Sequence, residues 1–144
     1  MLIKLIVIGR LKSKPIVALA DDLLCRIRFD AKIEIQEFKD SGKESENKRI
    51  LDALVKEQGY VIALSEEGTL LSSVELAQRL NAVQRKLVFV IGGPYGLTDQ
   101  VKVRADLTLS LSPLTFTHEM ARLLLLEQIF RAITIIQGRG YHNQ

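Results

Sequence analysis

Leu87-Val88-Phe89-Val90-Ile91 runs directly into Gly92-Gly93-Pro94-Tyr95-Gly96: five apolar residues without a polar break, then three glycines and a proline in five positions. An apolar run of this kind fits a strand covered on both faces, as in a parallel sheet. Leu2–Ile8 and Tyr60–Leu64 share the character, being rich in Val and Ile and nearly continuous. Ile33–Phe38 alternates imperfectly and reads as a more exposed strand. Helical patterns lie between the strands. Pro15 suits a helix start, and Leu19, Leu23, Leu24 and Ile27 follow as a stripe. Ser45 to Gln58 carries Ile50, Leu51, Leu54 and Val55. Ser73-Val74-Glu75 opens a segment with Leu76, Leu80 and Val83, and Thr98 or Asp99 is placed to cap a short helix. Strand and helix alternating at this spacing predict an α/β layered domain.

The chain has 144 residues, the size of one domain, so 1–144 is read as a single unit. Apolar residues make up 47% and charged residues 26%, which excludes a disordered chain. A single cysteine, Cys25, excludes an internal disulfide and points to a reducing compartment. With two histidines and one cysteine, no His/Cys zinc site is expected. The apolar start is broken by Lys4 and followed by Arg10, Lys12 and Lys14, unlike a signal peptide. No run approaches the roughly 20 apolar residues that cross a bilayer. Lys39–Lys48, the most polar stretch, is expected to be an exposed loop running into a helix.

Thr117 to about Ile136 is the clearest helix. Met120, Leu123, Leu124, Leu126, Ile129, Phe130 and Ile133 cover a wide apolar arc, with Arg122, Glu127 and Arg131 at polar positions. An arc this wide needs more than one packing partner: the helix is either central to the monomer or part of a subunit interface, and the interface is favoured.

Four constellations could carry chemistry. Glycines after a central strand allow a sharp turn and close approach of the backbone to a ligand, and Gly92–Gly96 stands where parallel sheets open their crevice. It is neither a Walker A loop nor a dinucleotide fingerprint, and a plain tight turn is an equal reading. Leu109–Phe116 mixes small, apolar and hydroxyl residues without charge. It suits an adenine ring better than a phosphate, although a buried connection capping the next helix explains it more simply. Arg139-Gly140-Tyr141-His142 ends the chain with a Tyr-His pair between glycines and a polar tail. Gly138 and Gly140 would let it fold back over a site, where Tyr141 stacks on a base, Arg139 holds phosphate and His142 relays a proton. His118, beside Glu119, is as well explained by a structural hydrogen bond. Finally, Lys4, Arg10, Lys12 and Lys14 put four positive charges and no acid into residues 1–14 of a chain whose net charge is only +3. Three of them follow the first strand, on the side of the Gly92 turn, which favours a nucleic-acid face over a merely solvated loop.

Taken in order, these pieces resemble a known family. The Leu5–Gly9 strand with Lys12, Ile62-Ala63-Leu64, Leu71-Ser72-Ser73, Phe89–Gly93 with Gly96-Leu97, Leu109–Ser112, Thr115-Phe116, His118, Ala121-Arg122, Leu126-Glu127-Gln128, Arg131-Ala132 and the final Tyr141-His142 match the RlmH (YbeA-like) family of the SPOUT superfamily. The resemblance spans nearly the whole chain. It implies a parallel sheet with helices on both faces and a C-terminal deep trefoil knot, which no spacing argument would choose. It also implies a cytoplasmic homodimer without metal that transfers a methyl group from S-adenosylmethionine. The implied acceptor is N3 of a pseudouridine in helix 69 of 23S rRNA, on assembled ribosomes. Carried over, the cofactor positions are Leu64, Gly92, Leu111, Ser112, Pro113, Leu114, Thr115 and Phe116. The catalytic tail is Arg139, Tyr141 and His142. Arg10, Lys12, Lys14, His118, Arg122 and Arg131 are expected to bind RNA or orient the tail.

Three departures stand out. Thr117 replaces a proline frequent before the histidine, Gly140 replaces Pro or Ala before Tyr-His, and Pro113 replaces Lys or Ala. The region before and within 39–48 is short. The competing readings are a SPOUT enzyme acting on tRNA, and a non-enzymatic α/β RNA-binding or regulatory module.

Overall fold

The structure is a computed structural model that describes residues 1–143. Its element order is β1 (Leu2–Ile8), α1 (Lys14–Arg28), β2 (Lys32–Phe38), α2 (Lys43–Val55), β3 (Tyr60–Leu70), α3 (Ser73–Ala82), β4 (Leu87–Ile91), α4 (Asp99–Arg104), β5 (Leu107–Ser110) and α5 (His118–Ile136). The five strands form one sheet in the order β2-β1-β4-β3-β5, and every pairing is parallel.

The continuous apolar runs are explained by two cores, one on each face. Along β1 and β4 alternate side chains go to opposite sides. Ile3, Leu5, Val7, Leu87, Phe89 and Ile91 pack with α1, α3 and α5. Ile6, Ile8, Val88 and Val90 pack with Ile50 and Leu54 of α2 and Val101 of α4. Helices therefore cover both faces, as expected. β2 is an edge strand and is only partly buried, in keeping with its imperfect alternation.

Three sequence expectations need correction. Tyr60–Leu64 continues to Leu70: the register slips between Leu64 and Thr69, both opposite Leu109, and 65–68 bulge outward. Gly68 allows the strand to return, since a Cβ there would stand 2.6 Å from the carbonyl oxygen of Thr108. Leu109 and Ser110 belong to β5 rather than to a loop. Four residues interrupted by Thr108 and Ser110, paired on one side only, gave no apolar run to read. Lys39–Lys48 is not all exposed loop, because α2 begins at Lys43 and buries Glu46 and Asn47.

α5 packs between α1 and α3 over the sheet. Leu125, Leu126, Ile129, Phe130, Ala132 and Ile133 are buried there, so most of the wide arc has its partners within one chain. Met120, Leu123 and Leu124 remain exposed or half-buried. Arg122 joins the buried set. Its Nη1 donates to Glu37 Oε2 at 2.6 Å and so ties α5 to the edge strand β2.

Candidate functional site

All five strands point the same way, so the loops that follow them gather at one end of the sheet. The chain after β5 does not turn back locally. Residues 111–117 pass the ends of β3 and β4, and Thr115 Oγ1 donates to Glu66 Oε2 at 2.6 Å on the way. α5 then starts beside β1. Thr117 caps it by accepting from the Met120 N–H, as expected of a threonine at this position. Glu119 accepts from the backbone N–H groups of Lys12 and Ser13 at 2.7 and 2.9 Å. Those two donors hold its carboxyl below the usual range, so it is ionised at neutral pH.

This crossing closes a cleft of about 740 Å³ between the 64–67, 91–97 and 111–118 segments. Its size lies within the range of small-molecule sites. Leu64, Ile91, Leu111, Leu114 and Phe116 supply apolar wall, while Glu66, Glu67, Lys43 and Lys102 supply charge. The glycine turn is held from behind by α2. Asn47 donates to the Gly96 carbonyl and accepts from the Thr98 N–H at 2.9 Å. Side chains at the turn would fill the space it needs: a Cβ on Gly92 would stand 2.9 Å from Leu97, and one on Gly93 would stand 2.7 Å from Glu46 Oε1.

Of the eight expected cofactor positions, Leu64, Gly92, Leu111, Ser112, Leu114, Thr115 and Phe116 line this cleft; Pro113 is exposed and does not. His118 lines it too, although the sequence reading assigned it to RNA or tail. Glu66, Glu67, Lys43 and Lys102 were missed. The two glutamates follow the apolar run Tyr60–Leu64, so the crevice rule that singled out Gly92 could have found them.

The tail stands elsewhere. It folds back along its own helix, with the Arg139 N–H donating to the Thr134 carbonyl. Tyr141 packs edge-on against Phe130 at 4.8 Å between ring centres, with the Arg131 guanidinium 4.7 Å from its ring. Its hydroxyl donates to Glu127 at 3.1 Å. Burial, then the Glu127 carboxylate, raise the phenol's pKa, so it stays protonated at neutral pH. Arg131 Nη1 lies 3.1 Å from His142 Nδ1. A guanidinium only donates, so Nδ1 accepts and a neutral ring carries its proton on Nε2. Arg139 pairs with Asp30 at 2.8 Å. Glu127 and Arg131 are six and ten residues beyond Ala121, the last residue of α5 to line the cleft, roughly 9 and 15 Å along the helix at 1.5 Å per residue. Within one protomer, therefore, the tail does not cover the cleft.

The basic start divides as well. Arg10, Lys12 and Lys14 follow β1 at the end of the sheet where the cleft opens, and none of them lines it. Lys4 does not join them: it is bonded to Glu57 at 2.7 Å inside the opposite end of the sheet. Arg122 is buried against Glu37 and offers nothing to solvent or tail.

The family model described as "Predicted SPOUT methyltransferase" matches residues 1–142. The chain belongs to the RlmH family of SPOUT methyltransferases. It is 50% identical over 112 residues to the "Ribosomal RNA large subunit methyltransferase H" of Synechococcus sp. (strain CC9902), covering 77% of each chain. It is 40% identical to the protein of the same name from Clostridioides difficile, covering 98% of this chain and 99% of that one. Among solved structures it is similar to the tRNA (m1G37) methyltransferase of Aquifex aeolicus, with a TM-score of 0.61 at 15% identity, covering 91% of this chain and 70% of that one. That last likeness is one of fold. In this SPOUT methyltransferase, then, a single protomer holds the cleft and the C-terminal tail apart.

Proposed function

We propose that this protein transfers a methyl group from S-adenosylmethionine to N3 of a pseudouridine in helix 69 of large-subunit rRNA, acting on the assembled ribosome in the cytoplasm as a homodimer. The observation that carries the reading is the cleft between the Gly92 turn and 111–118, in a chain whose relatives are named for methylating large-subunit rRNA.

The cleft fits the cofactor. Leu64, Leu111, Leu114 and Phe116 offer apolar surface to an adenine ring, and the Cβ-free Gly92 lets backbone approach it. Glu67 is paired with Lys102, which leaves Glu66 as the cleft carboxylate that favours a cationic ligand. When bound there, S-adenosylmethionine supplies a methyl group on a positively charged sulfur, open to in-line displacement. The chain's part is to align the acceptor and take up the N3 proton. Arg10, Lys12 and Lys14 hold the RNA backbone at the cleft end. Tyr141, kept neutral, presents a ring and a hydroxyl donor to the target base. His142 accepts the N3 proton at Nδ1 once Arg131 leaves that atom for a phosphate.

A tail held roughly 9–15 Å along α5 from the cleft acts on the cleft of a second copy. The half-exposed Met120, Leu123 and Leu124 give α5 an apolar face for that contact. The crossing of 111–118 past three strand ends supports the knotted course that the family resemblance implies. No helix among the described residues is long and apolar enough to cross a membrane.

The test is methyl transfer from labelled S-adenosylmethionine to ribosomes lacking the helix 69 methyl, with free rRNA and bulk tRNA alongside. Label confined to the ribosomal pseudouridine is expected. Label on tRNA would overturn the substrate and leave the cofactor standing. His142→Ala is expected to cut turnover by about 100-fold or more, the scale of general acid–base catalysis, with a much smaller change in cofactor affinity. Equal loss of both would remove His142 from the chemistry.

A further inference from the structure

Glu46 stands behind the glycine turn, in the first turns of α2, and is the only fully buried acid among the described residues, 1% exposed. Its Oε2 accepts from the Ser41 and Gly42 N–H groups at 2.9 and 3.1 Å. Its Oε1 has no hydrogen-bond partner among the described residues. That oxygen faces Gly93, where a Cβ would stand 2.7 Å from it. Gly93 in turn lines the cleft, whereas Glu46 does not. A single glycine thus stands between a buried, unpartnered carboxylate oxygen and the ligand space.

No lysine, arginine or histidine among the described residues forms an ion pair with Glu46, Lys43 at the cleft included. Glu57 shows what a covered acid ordinarily finds: its side chain is 9% exposed, and it takes both Lys4 and Lys86. Moving a carboxylate out of water is costly, and a neighbouring cation normally offsets that cost. At Glu46 only two neutral backbone donors do so. The field of such a charge reaches across Gly93 into the cleft, because protein screens it less than water does. The carboxylates in the cleft itself are placed differently. Glu67 pairs with Lys102, and Glu66 is exposed to solvent and bonded to Thr115.

We infer that Glu46 is the buried counter-charge for a cationic centre of the ligand in the cleft, acting across Gly93 rather than by contact. The inference rests on the cofactor reading given above. S-adenosylmethionine carries two such centres, the sulfonium and the α-ammonium, and the attraction is the same in kind for either. The glycine belongs to the arrangement, since a side chain there would meet Oε1 and push the turn away from α2. Glu46 is therefore a specificity-determining residue that favours a positively charged ligand over a neutral one of similar shape. If the sulfonium is the centre, methyl transfer itself ends the attraction, because the thioether left behind is neutral at sulfur.

The experiment measures dissociation constants by calorimetry on the full chain, wild type and Glu46→Gln. The ligands are S-adenosylmethionine, with sulfonium and ammonium, S-adenosylhomocysteine, with the ammonium alone, and 5′-methylthioadenosine, with neither. Displacement titrations read the weakest of them. Glutamine keeps the size of the side chain and an acceptor for the Ser41 and Gly42 N–H groups, and removes the charge. It is expected to weaken S-adenosylmethionine about tenfold to thirtyfold, the effect of two unit charges roughly 8–10 Å apart near a protein surface, and to leave 5′-methylthioadenosine within about twofold. S-adenosylhomocysteine then names the centre, and either result supports the inference: weakened with the donor, the ammonium; unchanged, the sulfonium. All three ligands weakened equally would mean that Glu46 only holds the turn in shape, and would overturn the inference, as would three unchanged affinities. If Glu46→Gln does not fold, as its melting curve would report, Glu46→Asp carries the test. It draws the charge one methylene back from Gly93, so S-adenosylmethionine should weaken by a smaller factor and 5′-methylthioadenosine hold; equal loss again overturns the inference. A wild type that binds none of the three would overturn the proposed cofactor, and the inference with it.

Discussion

Glu57 shows how a single residue's surroundings set the pH response of the fold. It sits at the end of the sheet away from the cleft, with Lys4 Nζ 2.7 Å and Lys86 Nζ 3.2 Å from its carboxylate. Burial alone would raise its pKa; the hydrogen bonds and charges of the two lysines outweigh that and lower it below 4.5. A folded-state pKa below the unfolded one means stability that is fully present above pH 4.5 and is lost as pH falls through the folded value. Glu57→Gln leaves two lysines without their carboxylate. It is expected to cost roughly 1–3 kcal/mol at pH 7, somewhat less than breaking a fully buried pair. Thermal melts from pH 7 to pH 3 check the sign: the gap between wild type and variant should be widest near neutrality and close below pH 4.5. A gap that widens on acidification would refute the assignment.

At the scale of elements, the first turn of α5 does two jobs, starting the helix and closing the cleft. Thr117→Ala removes the side-chain acceptor for the Met120 N–H. The expected cost is about 1 kcal/mol, or roughly 2–4 °C in Tm for a domain of this size. Because 111–118 is also cleft wall, cofactor affinity should fall with it; a loss of Tm with unchanged affinity would show that the cap serves the helix alone. This turn also marks how far the sequence could be read. β1, β4 and α3 were legible because burial on both faces, or a regular apolar stripe, wrote them directly into the pattern. β5 was not, because an edge strand of four residues needs few apolar positions. The bulge at 65–68 was not, because it depends on Gly68 meeting Thr108, a contact between segments about 40 residues apart in the chain. The cleft positions came from family resemblance and, Pro113 apart, fall together, whereas Lys43 of α2 and Lys102 of α4 join them only because the fold brings those helices to the same end of the sheet.

At the scale of the whole molecule, the separation of cleft and tail decides what a working unit is. Tyr141 and His142 are fixed to Glu127 and Arg131, partway down α5, whereas the cleft reaches only its first turn, to Ala121. If the tail serves a cleft, as proposed, two arrangements are open to it: the tail peels away and crosses to its own cleft, or it stays in place and serves a second copy. Peeling away would give up the Phe130 contact, the Arg131 stacking and the Glu127 hydrogen bond together, so the second arrangement is favoured. Mixed dimers separate them. One protomer carries His142→Ala with an intact cleft, and the other carries Gly92→Arg, which blocks the cleft but keeps the tail. Each homodimer is expected to be inactive. If the tail works on its partner, the mixed dimer pairs an intact cleft with an intact tail and regains one working site of two, about half the wild-type rate per dimer. If the tail works on its own cleft, no protomer of the mixed dimer holds both, and methyl transfer stays at the background of the parents. Recovery on mixing, followed by label transfer to ribosomes, would establish that the catalytic site is built only between two copies of this chain.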